Sequence, residues 1–330
     1  MPCSGSESTT EISGVRHWHT QDVDEHARAL SHWDLRYDQI TAGRFHGTFS
    51  ELWLDGVQLA RDRANQALFK RGKSWDGAVC FSMPVGEPVG DAYCGGHQIH
   101  APDVLIARAA ALPEVWTPAG LDLLCISVDE TLLEYLSMGQ NSSFRVPTAP
   151  ACLGLDSAAA RSIHAEWVML CSAMFDHDGC IVSPAASPAV RREWRDTLLQ
   201  HLLDLFDIND DLSPLSPTAR KRLVDRACEY VLSRPDSPPS ILELCSHVGA
   251  SRRKLQYCFQ DVLGTNPVSY LRAIRLNAVR RELAESEQDV SVQHVATQWG
   301  FWHLSRFALD YRQLFGEKPS DTLAIARSAL

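Results

Sequence analysis

Two short segments near the carboxyl terminus concentrate side chains suited to reading a nucleic acid. Arg252, Arg253, Gln256 and Gln260 recur at helical spacing opposite Leu255, Cys258, Phe259 and Val262. His303, Ser305, Arg306, Asp310 and Gln313 recur opposite Leu304, Phe307, Ala308, Tyr311 and Phe315. An arginine can bond both acceptors on a guanine edge, a glutamine can pair in the same bidentate way with adenine, and Ser or His can serve bases or phosphates. An Arg-Arg pair on a lone helix is ordinarily a solvated surface. Here the pattern gains weight because the layout occurs twice.

The two copies begin at Ser240 and Ser291. In each, a serine able to cap a helix is followed nine positions later by glycine, Gly249 or Gly300, where a left-handed backbone angle costs little. A turn and a second apolar stripe follow, and Gly264–Pro267 and Gly316–Pro319 then repeat the same three-residue step. This is helix-turn-helix grammar. Ser251 can cap the second helix of the first copy. Between the copies a helix from Pro267 to about Leu283 would run roughly 26 Å at ~1.5 Å per residue, comparable with the ~34 Å of a DNA turn. Both outward faces could therefore enter successive major grooves of one duplex.

The rest of the chain must hold and control this spacing. Residues 45–128 alternate short apolar runs (FHGTFSELWLDG, AVCFSMPVG, LLCISV) with turn signals, as in an antiparallel β barrel or jelly roll. Residues 129–145, 156–178 and 187–206 read as helices. In the last, Val190, Trp194, Leu198, Leu202, Leu205 and Phe206 form one apolar face, which either packs on the β domain or joins two copies in a homodimer. The stretch LFDINDDLSPLSPTAR reads as a linker. The expected organisation is α+β with two domains: an arm at 1–29, a β domain with flanking helices at 30–206, a linker at 207–217, and an all-α domain at 218–330.

Composition agrees with an ordinary globular protein, at 45% hydrophobic and 22% charged residues. The net charge of −10 hides an asymmetry: residues 218–330 hold 16 Lys+Arg against 12 Asp+Glu, whereas residues 1–217 hold 15 against 29. Local sign outweighs the total where screening acts within ~8 Å. No run of 18 apolar residues occurs and the first residues lack a basic start with an apolar stretch, so no membrane span or secretory leader is expected, and a cytoplasmic location is. The ten cysteines include no C-x-x-C pair. G-x-S-x-G, H-E-x-x-H and phosphate-binding glycine loops are absent, and His97 and His100 do not reproduce the cupin metal pattern; no catalytic residue, metal or required cofactor is expected. Glu51, Trp53, Trp75 and Asp76, with Asp55, could form an aromatic and acidic pocket for a small amine, or could be ordinary strand alternation.

The strings LRAIRLNAVRREL, VATQWGF and FALDYRQLFGEKPS resemble the DNA-binding domain of AraC/XylS-type transcription regulators over the final ~110 residues. SRRKLQ, QWGFWHLSRF and, upstream, GRFHGTFSEL resemble the branch controlling ethanolamine utilisation. The resemblance implies a cupin-like sensing domain, two helix-turn-helix units, binding to double-stranded promoter DNA, contact with RNA polymerase, and usually activation. It places base contacts at Arg252, Arg253, Gln256 and Tyr257 and at His303, Leu304, Ser305 and Arg306. Phosphate contacts are expected at Ser251, Arg275 and Arg312, while Arg280 and Arg281 are expected to be solvated or paired within their own domain. Ethanolamine or cobalamin are the effectors the resemblance implies. Other readings are a cupin-type enzyme with a helical accessory domain, or a DNA-binding protein whose N-terminal half only dimerises.

Overall fold

The computed structural model describes residues 10–12, 15–85, 90, 92–100, 103–139, 145–155, 157–175, 187–208, 212–286 and 290–328. The elements run β1 (Thr10–Ile12), β2 (Val15–Thr20), α1 (Val23–Arg28), β3 (Asp34–Gln39), β4 (Gly47–Leu54), β5 (Val57–Ala64), β6 (Leu68–Lys73), β7 (Ala78–Pro84), β8 (Ala92–Cys94), β9 (His97–Ile99), β10 (Val104–Arg108), β11 (Val115–Thr117) and β12 (Asp122–Asp129). They continue with α2 (Glu130–Gly139), β13 (Ala151–Leu153), α3 (Ala158–Phe175), α4 (Pro188–Ile208), β14 (Leu212–Pro214), α5 (Ala219–Leu232), α6 (Ile241–Val248), α7 (Arg252–Leu263), α8 (Pro267–Ala284), α9 (Val292–Gln298), α10 (Leu304–Phe315) and α11 (Pro319–Ser328). A β domain thus precedes an all-helical one.

Antiparallel pairing builds a nine-stranded sheet in the order β1-β2-β4-β5-β12-β7-β10-β13-β14 and a five-stranded sheet in the order β3-β6-β11-β8-β9. Side chains alternate between the faces of the larger sheet. Leu52, Leu59, Phe81 and Ile126 join a core with Trp167 of α3 and Leu198, Leu202 and Phe206 of α4. Ala60, Asp62, Cys80 and Cys125, on the opposite face, line an interior cavity shared with the smaller sheet. Both faces are covered, so β5 is buried along nearly its whole length and the polar half of its alternation does not reach solvent.

The apolar stripe of α4 packs on the sheet: Phe206 lies 5.8 Å from Phe81 between ring centres. The expected amino-terminal arm is in part integral, because β2 pairs with β4 through Val15–Thr20 and α1 packs beside it. The described part of the expected linker, residues 207–208 and 212–217, is also structured. Its β14 pairs with β13, Leu215 N donates to Pro150 O at 2.7 Å, and His97 Nε2 lies 2.8 Å from Ser216 O. Backbone pairing explains what composition missed: Leu212–Pro214 adds as an edge strand, where Pro214 needs no N–H.

In the helical domain α8 separates two cores. Tyr270, Leu271 and Ile274 pack with α5, α6 and α7, while Ala273, Leu276, Val279 and Leu283 pack with α9, α10 and α11. A third side faces β3. That all-round burial leaves little polar-apolar segregation along α8.

Candidate nucleic-acid interface

Local sequence sets the two helix pairs. Ser240 accepts from Glu243 N while Glu243 returns a bond to Ser240 N, a reciprocal cap that starts α6. Gly249 ends it at φ +66°, and Ser251 Oγ accepts from Lys254 N at 3.2 Å to start α7. In the second pair Ser291 caps α9, and α10 begins at His303, which makes no side-chain cap. Gly300 has φ +70°, and a β-carbon there would stand 2.3 Å from Pro238 Cδ. The chain leading into α6 therefore packs on the turn of the second pair, holding the two together.

Arg252, Arg253 and Gln256 are exposed, and among the described residues their side chains make no intramolecular ion pair or hydrogen bond. Tyr257 is exposed with the Arg220 guanidinium 4.8 Å above its ring. His303, Ser305 and Arg312 are exposed as well. Arg306 is exposed but held: its Nε lies 3.0 Å from Asp310 Oδ1, and Asp310 also pairs with Arg272 at 3.4 Å. Leu304 and Ala308, expected on the inner stripe, are exposed instead. The inner face is completed by Leu314 rather than by Leu304 and Ala308.

Arg275 is placed differently from the phosphate contact expected of it. Its Nε and Nη2 donate to Trp299 O at 3.1 and 2.6 Å, and its guanidinium stacks 4.4 Å from the Phe301 ring centre. Burial, with a smaller contribution from Arg272, pulls its pKa down to about 10. It braces the second turn from inside the domain. Ser251 Oγ accepts from Lys254 N as a helix cap, which leaves the O–H of this exposed side chain able to donate.

The carboxyl ends of α7 and α10 rest on the β domain. Gly264 lies beside Trp116, and Gly316 lies against the backbone of Arg44. Gly43 N donates to Gln313 O and Leu314 O, each at 3.1 Å. The amino ends, which carry Arg252 and Arg253 in one helix and Ser305 and Arg306 in the other, are exposed.

Arg280 and Arg281 correct the sequence reading most. Arg280 pairs with Asp22, with Asp24 at 3.3 Å and with Glu317 at 3.3 Å. Arg281 pairs with Asp24 and Asp38, each at 2.6 Å, and donates to Tyr37 O. The Glu317 pair stays within the helical domain, as expected, whereas the buried pairs with Asp22, Asp24 and Asp38 join the two domains rather than facing solvent. Burial raises the Asp24 carboxyl while Arg281 opposes it; at Asp22 the opposing Arg280 charge prevails and the pKa falls. No local pattern marks acids more than 240 positions away; the tandem arginines on α8 were the available signal, since adjacent helical residues cannot share one outward direction.

The acidic and aromatic cluster of the β domain does assemble in part. Glu51 accepts from Trp53 Nε1 at 2.7 Å and Gln58 Nε2 at 2.6 Å, and also pairs with Arg16. Trp75 lies 5.6 Å from Trp53, and its Nε1 donates to Gln58 at 2.8 Å. Glu51 is fully buried and engaged, Asp55 and Asp76 are exposed, and none of the five lines the interior cavity. Among the described residues no group of three or more His, Cys, Asp or Glu could hold a metal, and no helix is long and apolar enough to cross a membrane.

Residues 244–325 match a family model described as a helix-turn-helix domain. The chain is 27% identical over 209 residues to a probable thc operon regulatory protein of Rhodococcus erythropolis, covering 63% of this chain and 62% of that protein. It is 35% identical over 102 residues to XylDLEGF operon transcriptional activator 2 of Pseudomonas putida, covering 31% of this chain and 65% of the activator. In both cases the match spans less than two thirds of the relative's length. A solved structure of a probable AraC family transcriptional regulator from Rhodopseudomonas palustris CGA009 is 33% identical, with a TM-score of 0.30, covering 32% of this chain and 97% of that one. Residues 244–325 thus form a helix-turn-helix domain.

Proposed function

We propose that this chain is a sequence-specific, DNA-binding transcription regulator of the AraC/XylS type, acting as an activator on promoter DNA. One observation carries the reading: α7 and α10 each project an exposed arginine-bearing amino end, while their carboxyl ends are anchored on the same body. In this reading α6–α7 and α9–α10 are two helix-turn-helix units, and α8 sets their spacing. Arg252, Arg253, Gln256 and Tyr257 read bases from one unit, and His303, Ser305 and Arg306 from the other. Arg312 contacts phosphate. The β domain is a cupin-like sensor whose occupancy changes how α8 is held. RNA polymerase contact, a homodimer and a cytoplasmic location accompany this reading by family resemblance. Control of ethanolamine or other amine catabolism rests on that resemblance alone.

Selection of bound fragments from a random DNA pool tests the proposal. The expected product is a motif with two contacted segments about one turn apart. Arg253→Ala should relax base choice in one segment and Arg306→Ala in the other. Failure to enrich any motif at moderate salt would refute the regulator reading.

A further inference from the structure

We infer that α5 is a third DNA-contacting element: its Arg222 and Arg226, with Lys254 of α7, hold the phosphate strand that flanks the first helix pair. The inference rests on the DNA-binding role proposed above and adds a contact outside both helix pairs. Local sequence and packing decide which way α5 faces. Thr218 caps it, with Oγ1 accepting from Lys221 N at 3.0 Å. Leu223, Val224, Ala227 and Val231 are buried in the core shared with α6 and α7. Lys221 turns to the β domain, where it pairs with Glu114 at 2.7 Å, and it also holds Asp225. Arg222 and Arg226, one turn apart, are left on the exposed side.

An open groove lies between this side of α5, the α6–α7 turn at Val248 and Gly249, and the flank of α7 at Lys254. Arg222 Nη1 donates to Pro217 O at 2.8 Å, and Arg226 Nη2 donates to Val248 O at 3.3 Å. A carbonyl partner directs a guanidinium and leaves its charge unopposed. The Lys254 side chain makes no ion pair or hydrogen bond among the described residues. Arg220, which also borders the groove, is taken by Asp261 at 2.8 Å. Asp225 is taken by Lys221, so Glu229 alone stands against the three remaining cations of the groove. The net charge there is positive in a chain whose total is −10.

Two relationships set this groove beside DNA rather than behind it. Lys254 follows Arg253 on α7, and the Arg220 guanidinium lies 4.8 Å above the ring of Tyr257. Arg253 and Tyr257 are both base-reading positions in the reading above. A helix ~10–12 Å across fills a major groove ~12 Å wide, so a phosphate strand runs along each of its flanks. The strand on the Lys254 flank crosses the mouth of the groove. Gly249 leaves the approach open, since a β-carbon there would have nothing within 4 Å. Arg222 and Arg226 are ~6 Å apart along the helix axis, which suits an extended strand better than one small anion. Contacts of this kind fix register and carry no sequence information.

The test uses the full-length protein with the duplex recovered by selection and an unrelated duplex of equal length, each titrated over a range of salt. Lys254→Gln and Arg222→Gln should each weaken both duplexes by a similar factor, ~5- to 10-fold at moderate salt, and flatten the log–log salt slope by ~0.9. Arg222→Lys should keep most of the parent affinity, and a repeat selection with either glutamine variant should return the parent motif. Ethylation of phosphates beside the first contacted segment should block the parent and have little further effect on the double variant Arg222→Gln/Lys254→Gln. Unchanged affinity and slope in the double variant, or a loss confined to the selected sequence, would overturn the inference. If the double variant does not fold, ethylation of the parent decides, and the absence of blocking phosphates beside that segment overturns the inference. Normal selection with unaffected variants refutes the α5 contact alone, whereas failure of the parent to select any motif refutes the regulator reading and the contact with it.

Discussion

Asn277 pairs with the backbone of Gln39 as a neighbouring strand would: Gln39 N donates to Asn277 Oδ1 at 2.9 Å, and Asn277 Nδ2 donates to Gln39 O at 2.8 Å. Strand β3 is the outermost strand of the smaller sheet, so its outer backbone groups lack a strand partner. A side chain from α8 supplies one, and the two flanking arginines of the next turn fix the same contact through Asp22, Asp24 and Asp38. The helix that spaces the two helix pairs is thereby docked on the domain that holds the cavity.

Asn277→Ala should leave the Gln39 N–H and carbonyl buried without that partner, at a cost of ~2–4 kcal/mol for the two groups. Denaturant unfolding measures the loss, and hydrogen exchange at Gln39 should accelerate more than exchange in the helix-covered face of the larger sheet. Unchanged exchange at Gln39 would show that the pairing contributes nothing.

Two glycines with nearly the same backbone angle should respond differently to alanine. Gly249, at φ +66°, has nothing within 4 Å of an added β-carbon, so Gly249→Ala should cost only the left-handed strain of ~1–2 kcal/mol. Gly300, at φ +70°, meets Pro238 Cδ at 2.3 Å, so Gly300→Ala must also displace the chain before α6 and should cost more. Equal melting losses would argue against close packing of Pro238 on the second turn.

Acid should unfold the β domain through Asp62. Burial pushes this carboxyl up, but Lys70 and His26 outweigh it and hold the pKa well below the ordinary range. The native state then binds fewer protons than the unfolded chain, so this contribution is present above the unfolded value of ~3.9 and is lost as pH falls through and below it. Melting temperature should fall progressively below about pH 5 and most steeply under pH ~4. Lys70→Met, which strands Asp62, should cost ~3–5 kcal/mol at neutral pH and flatten the acid dependence. An equally steep acid dependence in the variant would assign the effect to other groups.

For DNA binding, Arg253→Ala should cost ~1–3 kcal/mol in specific affinity. Arg306 must first leave Asp310, which also holds Arg272. Asp310→Asn should therefore tighten binding at low salt and steepen its salt dependence, as two more cations meet phosphate or base. Weaker binding by a normally folded Asp310→Asn would show that the ion pair positions Arg306 for contact.

The helical third was legible because its information is local. Cap serines, turn glycines and apolar steps of three and four lie within a dozen residues of one another, and α7 and α8 follow the expected bounds closely. Arg252, Arg253 and Gln256 are exposed as their spacing predicts. The phase of α10 was less legible, since Leu304 and Ala308 stand three residues before the buried Phe307 and Tyr311 and yet are exposed. In the β domain, alternation located strands but not the fate of their polar faces: Glu51 and Asp62 are buried rather than solvated.

By itself the sequence determined the duplicated helix pairs, the spacer between them and the residue types at their outer faces, because helix start, stop and phase depend on near neighbours. Tertiary structure alone decided that Arg280 and Arg281 clamp the domains, that Arg275 braces a turn, that the linker adds a strand, and that Arg71 and Arg281 share Asp38. These are pairings between groups up to more than 200 positions apart. A charge buried in low dielectric must find its partner wherever the chain brings one, and one-dimensional spacing carries no record of that meeting.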